Sequence, residues 1–287
     1  MDKLKQNLIS TVKYLSHDIG QRSYLDVERL NRTADYIEGK LRSYGCNVKR
    51  QPFNYRGSTY YNIICEIKGT KESKDGILVI GAHYDTVIDT PGADDNASGV
   101  AGLLELARLT VLKPLQRTVR FVAFTLEEPP IFMTKNMGSY IYAKSLKEEG
   151  IKVYGMISLE MLGYYSDKKN SQYYPLPIFK WFYPEKGNFI AFVGNLSSRS
   201  FTIRVKNLFK SVSAIPVESL NAVSIVPGVN FSDHLNFWEF SYSAFMITDT
   251  AFYRNPNYHA PGDTAETLDY EKMTELVIGL YKALGSI

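Results

Sequence analysis

Residues 76–85 read "GILVIGAHYD". Ile77 to Ile80 are apolar without interruption, and the run then ends on His83 and Asp85. A strand with one wet face alternates apolar and polar residues, so an unbroken run predicts a strand buried on both faces, the signature of a parallel sheet covered on both sides. Working outward, "TVRFVAFTLEE" (118–128), "VYGMISLEML" (153–162) and "SAFMITDTA" (243–251) have the same form, and "YYNIICEIKG" (60–69) and "GNFIAFVG" (187–194) add two more strands. Helical patterns lie between them. Leu30, Ala34, Ile37 and Leu41 make one apolar stripe at helical spacing, stopped by Gly45. "ASGVAGLLELARL", "GSYIYAKSLKEEG", "SSRSFTIRVKNLFKSV" and "DYEKMTELVIGLYKAL" read as further helices, the last with Asp269 as its N-cap. Strands alternating with helices predict an α/β fold, a mostly parallel, mixed central sheet with helices on both faces.

Bulk properties narrow the classes. The 287 residues contain no repeat or linker and read as one domain, 1–287. A net charge of +3 with mixed signs gives no reason to expect nucleic acid or a membrane surface as partner. No run approaches the ~18 apolar residues of a membrane span. The start, "MDKLKQNLISTVKYL", lacks the apolar core of a signal peptide, so the expected location is cytoplasmic. Cys46 and Cys65 are expected to be free, buried thiols, since nothing in their spacing demands a disulfide.

Ligands of such sheets gather at the carboxyl ends of the strands. There this sequence places His83 and Asp85, Glu127 and Glu128, Glu160, and Asp249 followed by Tyr258, His259 and Asp263; a loop entering a helix adds Asp94 and Asp95. Each is bland alone: a histidine after a strand is usually structural, an aspartate before a helix is usually a cap, and paired glutamates are usually solvated. Together, two histidines and several carboxylates converging on one edge form a divalent-metal constellation, and mixed N/O donors suit Zn²⁺. His83, Asp95, Glu128, Glu160 and His259 supply the five ligands a paired site needs if one is shared. The alternation of a strand would send Glu127 and Glu128 in different directions, leaving one as ligand and the other facing the water. No HExxH helix is present.

The motifs "GAHYDT", "PGADDNASGVAGLLELAR", "TLEE…GS", "SLEMLGY", "SDH" and "YHAPGDT…LDY", in this order, resemble those of the co-catalytic dizinc aminopeptidases, a family related to glutamate carboxypeptidases and glutaminyl cyclases. The resemblance covers nearly the whole chain and implies a zinc-exopeptidase-like three-layer α/β/α fold. It implies two Zn²⁺ per chain, His83 as ligand with Asp85 its partner, Asp95 as the bridging carboxylate before a cis peptide to Asn96, and Glu128, Glu160 and His259 as the other ligands. It further implies Glu127 as general base and Tyr258 as oxyanion donor. Two departures are visible. The family's aminopeptidases commonly carry aspartate where Glu160 stands, and "PPIFMTKNM" separates the glutamate pair from Gly138 and Ser139.

The expected function is a zinc-dependent aminopeptidase hydrolysing N-terminal peptide bonds through a hydroxide shared by the two metals, on peptides with a free N-terminus. The alternatives are a glutaminyl-cyclase-like or other amide hydrolase, against which His83 argues because it serves a second metal, and a non-catalytic binding module. Asp233 and His234 in "FSDHLNFWEF" are read either as pocket residues or as structural braces.

Overall fold

The structure, a computed structural model, describes residues 2–287. Its sheet has eight strands: β1 Val48–Tyr55, β2 Ser58–Ile67, β3 Ile77–His83, β4 Val119–Phe124, β5 Val153–Glu160, β6 Ile190–Gly194, β7 Val217–Asn221 and β8 Ala244–Thr248. The order is β1-β2-β4-β3-β5-β8-β6-β7. β4, β3, β5 and β8 run parallel at the centre, while β1, β2 and the β6–β7 pair join through antiparallel contacts. The mixed, mostly parallel sheet expected from the apolar runs is therefore present, with β3 at its heart between β4 and β5.

The seven α-helices are α1 Asp2–Lys13, α2 Val27–Ser43, α3 Gly99–Leu112, α4 Gly138–Glu148, α5 Arg199–Val212, α6 His234–Glu239 and α7 Tyr270–Leu284. Alternate strand residues face different helix layers. Leu78, Ile80 and Ala82 of β3 join the large core with α1, α2, α3, α5 and α7. Val79 packs on the other side with Tyr142, Ala143 and Leu146 of α4 and Phe237 of α6. Burying both faces explains why β3 carries no polar residue before His83. Toward β6 that second layer thins: Phe189, Ala191 and Val193, with Met246, pack against Val229 of a loop and Trp238 of α6. Asp269 caps α7 as expected, accepting the Lys272 N–H at 3.0 Å.

Three local readings need correction. β1 is a strand that the apolar runs do not reveal, because Pro52 and its polar alternation suit an edge strand, which needs only one apolar face. β7 and α6 lie in the stretch between α5 and β8, where the sequence suggests mostly loop. Cys46 and Cys65 are not free thiols: they form a disulfide, their Cα atoms 5.8 Å apart. The β1–β2 hairpin sets Val48 opposite Cys65, so the end of α2 is brought to β2, a proximity that 19 residues of linear separation conceal.

Candidate active site

The metal-site candidates do gather at the carboxyl edge of the parallel strands. His83 and Glu160 are the last residues of β3 and β5. Asp95 lies in the kinked turn Ala93–Ser98 that enters α3, and its peptide to Asn96 is cis. His259 lies in the loop after β8, with φ +53°.

Distances divide the cluster in two. His83 Nε2 is 3.3 Å from Asp95 Oδ1 and 3.4 Å from Glu160 Oε1. His259 Nε2 is 3.2 Å from both Asp95 Oδ2 and Glu128 Oε2. Asp95 thus turns one oxygen toward each histidine. Glu127 lies over the first group, its Oε2 3.9 Å from His83 Nε2. His83–Asp95–Glu160 and Asp95–Glu128–His259 are each compact enough to hold one ion.

The glutamates reach these places differently from the strand-based expectation. β4 stops at Phe124, and the chain leaves it through Leu126 at φ +60°. Glu127 and Glu128 stand on irregular chain past the strand's end, so strand alternation is not what separates their carboxylates. Asp85 also differs in detail. The carbonyl of Asp85 is nearer to His83 Nδ1, at 3.2 Å, than its carboxylate is, at 3.6 Å. The carboxylate instead accepts the Glu128 N–H at 3.0 Å. One residue therefore steadies the ring of His83 and the backbone of Glu128.

The electrostatics test whether a cation fits. Four buried carboxylates face two histidines. Burial pushes Glu127 well above the usual carboxylate range and raises Glu160, with neighbouring acids adding to both. Burial and the charge of Asp95 push Glu128 up to about 8. Asp95 alone is lowered: burial raises it, but the two histidines beside its oxygens outweigh that. Burial disfavours charge on the histidines, yet the surrounding acids raise His83 well above its ordinary value and His259 to about 10. Such a concentration of negative charge away from water is costly unless a cation compensates it. In addition, His259 Nε2 and Glu128 Oε1 are buried without any hydrogen-bond partner, though oxygens surround the ring nitrogen. Donor chemistry, orphaned atoms and spacing all fit zinc.

Several supporting residues escaped the sequence reading. Ser232, in the same "SDH" motif as Asp233, donates to Glu160 Oε2 at 2.7 Å. Asn96 ties the bridging turn to β5, donating to the Leu159 carbonyl and accepting the Met161 N–H. Arg22 is fully buried, and its guanidinium bonds the carbonyls of Leu15, Gly20, Tyr84, Pro91 and Gly92, spanning the loop from β3 to Asp95. Asp263 is no helix cap: its two oxygens accept the N–H groups of Asp94 and Asp95. Nor is Asp94 a cap; it accepts from Gly163 and Asn255. His234 is a brace, bonded through Nε2 to the Val229 carbonyl. Asp233 lies buried near His83 and Glu160, its oxygens unpaired. Tyr258 stacks on the His259 ring at 3.8 Å; burial and the four carboxylates keep its hydroxyl protonated.

The cluster opens into a cavity of about 310 Å³, lined also by Phe179, Phe189, Ala191, Val193, Met246 and Phe252. A doubly covered α/β sheet with a buried acid–histidine cluster at its carboxyl edge, beside such a cavity, is the architecture of a metal-dependent hydrolase. The model of peptidase family M28 matches residues 62–282, and the chain belongs to that family. It is 44% identical to the uncharacterized protein YfbL of Escherichia coli, over 97% of this chain and 87% of that one. A probable aminopeptidase of Saccharomyces cerevisiae, YDR415C, is 25% identical over 82% of this chain, which spans 60% of it. Among solved structures, a zinc aminopeptidase from Bacillus subtilis superposes with a TM-score of 0.76 at 18% identity, covering 98% of this chain and 94% of that one. A glutaminyl cyclase from Bacteroides thetaiotaomicron superposes with a TM-score of 0.73 at 18% identity, covering 99% and 98%.

Proposed function

We propose that this chain, acting as one catalytic unit, is a dizinc aminopeptidase that removes the N-terminal residue of peptides. The observation that supports two metals over one is the division of Asp95, one oxygen toward His83 and Glu160, the other toward His259 and Glu128. His83, Asp95 and Glu160 would hold one ion and Asp95, Glu128 and His259 the other. Zinc bound there would lower the pKa of a water toward ~7 and polarise the scissile carbonyl. Glu127, its carboxylate 3.9 Å from His83 Nε2 and close to that of Glu128, would take the proton of the attacking water and return it to the leaving amine. Tyr258, held protonated beside the acids, would donate to the developing oxyanion. Asp85 would hold His83 and Glu128 in place. A carboxylate of the cluster would pair with the free amine, which makes the reaction exopeptidic.

The cyclase fold superposes nearly as well, so metal count is the deciding measurement. Elemental analysis should find two zincs per chain, and the loaded protein should release aniline from amino-acid anilides but not from their N-acetylated forms. Full activity with a single zinc would favour the cyclase-like reading; hydrolysis of the acetylated anilides would remove the exopeptidase. The cytoplasmic location expected from the first residues stands against the Cys46–Cys65 disulfide, because disulfides persist in oxidising surroundings. No described helix is long and apolar enough to cross a membrane.

A further inference from the structure

A second cleft, of about 190 Å³, lies between α4 and the face of β1, β2 and β4. Arg120 in its wall is the second residue of β4, whereas Glu127 and Glu128 lie beyond the last, so the cleft and the acid–histidine cluster belong to different ends of that strand. Strand register builds the wall. Glu66 of β2 stands opposite Arg120, and Ile64, two places along β2, shares its face. Gln51 Nε2 donates to Ser145 Oγ at 3.0 Å and ties β1 to α4 along the cleft.

The polar groups of the cleft are unevenly matched. Glu66 is satisfied twice: Oε2 accepts from Arg120 Nε at 2.7 Å, and Lys68 Nζ lies 2.6 Å from Oε1. Arg120 thus uses Nε and leaves both terminal nitrogens without a hydrogen bond among the described residues. The hydroxyl of Tyr142, a residue 2% exposed, has no partner either. Its ring packs on those of Phe124 and Phe237, with centres 5.8 and 6.4 Å away, so the hydroxyl cannot swing to another acceptor. The Arg120 guanidinium stands beside this hydroxyl without the alignment of a hydrogen bond. Arginine in any case only donates, so the Tyr142 proton still lacks an acceptor. Burial pushes this hydroxyl up to about 12 and keeps that proton in place. Buried polar groups are rarely left unpaired. What is missing is an acceptor for a guanidinium fork and a hydroxyl together, and a carboxylate has two oxygens to offer them. Lys49, with no ion pair among the described residues, adds positive charge.

The α4 side carries the other sign. Glu149 follows the last residue of α4 and lines the cleft, again with no ion pair among the described residues. The last carbonyls of a helix carry partial negative charge, which favours a cation there. A phosphate would meet Glu149, and a bare cation would meet Arg120 and Lys49. A small molecule with one charge of each sign suits both sides.

We propose that this cleft is a second binding site, one that takes a free α-amino acid with its carboxylate on Arg120 and Tyr142 and its ammonium toward Glu149 and the end of α4. The site stands whether or not the acid–histidine cluster cleaves peptides.

The test titrates L-alanine into the intact, zinc-loaded, ¹⁵N-labelled protein and follows backbone amides by NMR, which separates the cleft from the cluster. Amides of β2, β4 and the last turn of α4 should shift saturably. Tyr142→Phe removes a hydroxyl that bonds nothing in the free protein, so thermal unfolding should be unchanged. Affinity for L-alanine in the cleft should nevertheless fall about tenfold, the scale of a hydrogen bond to a charged group. Arg120→Gln leaves Glu66 paired with Lys68 and should weaken binding by about tenfold or more. The proposal stays testable through Tyr142→Phe if Arg120→Gln fails to fold. Alaninamide, which lacks the carboxylate, should leave the cleft signals in place, and acetate, which lacks the amine, should bind more weakly than L-alanine. The proposal is overturned if L-alanine shifts no cleft amide or shifts only those around His83 and His259. Binding in the cleft that Tyr142→Phe and Arg120→Gln leave unchanged also overturns it, as does inorganic phosphate binding there more tightly than L-alanine.

Discussion

At the scale of the residue, neighbours in sequence have unlike environments. Glu127 and Glu128 are adjacent, yet one faces His83 and the other His259. Replacing Glu127 by Gln keeps its shape and removes its basicity, so turnover should fall by at least about a hundredfold while zinc content is unchanged. Normal turnover in the loaded variant would take Glu127 out of the reaction. Asp233 and His234 diverge similarly. Burial pushes His234 down to about 4. Between pH 6.5 and 4 the unfolded chain takes up a proton there that the folded chain refuses, so stability falls as pH drops through that window and is fully present above it. The loss should total roughly 3 kcal/mol, at ~1.4 kcal/mol per unit. His234→Gln can still donate to the Val229 carbonyl and does not titrate, so urea unfolding from pH 7.5 to pH 4.5 should show a shallower decline in the variant. Identical declines would mean that His234 is protonated in the fold.

At the scale of the element, the site is made at the ends of the strands and in the turns beyond them. β3 and β5 deliver His83 and Glu160 directly, and these were legible because an apolar run ending on a metal-ligating residue is a strong pattern. The turn before α3 was legible only as a motif; its support comes from 168 residues further on, where Asp263 accepts the Asp95 N–H. Asp263→Asn would oppose an amide to one of those N–H groups, at a cost of about 1–3 kcal/mol, and loosen Asp95. Zinc affinity, measured by competition with a chromophoric chelator, should weaken about 10- to 100-fold, the usual effect of removing a ligand's support. Unchanged affinity would show that the turn holds itself.

At the scale of the whole molecule, the Cys46–Cys65 bond ties the end of α2 to β2 across 19 residues. By chain-entropy reasoning, replacing both cysteines by serine should remove about 3 kcal/mol, read from denaturant midpoints; two titratable thiols in the native protein would contradict the bond. The sequence by itself determined the α/β class, the central strands and the acids and histidines that stand at their ends. Those depend on local patterns: period, unbroken hydrophobicity, and polar residues where burial should stop. It left out β1, β7 and α6, the disulfide, and the partnerships of Arg22, Ser232 and Asp263. These residues act across long stretches of chain, and their types are ordinary on a surface, so nothing local marks them. Only the tertiary structure decided which oxygen of Asp95 faces which histidine, because that arises from packing distant segments against one sheet edge.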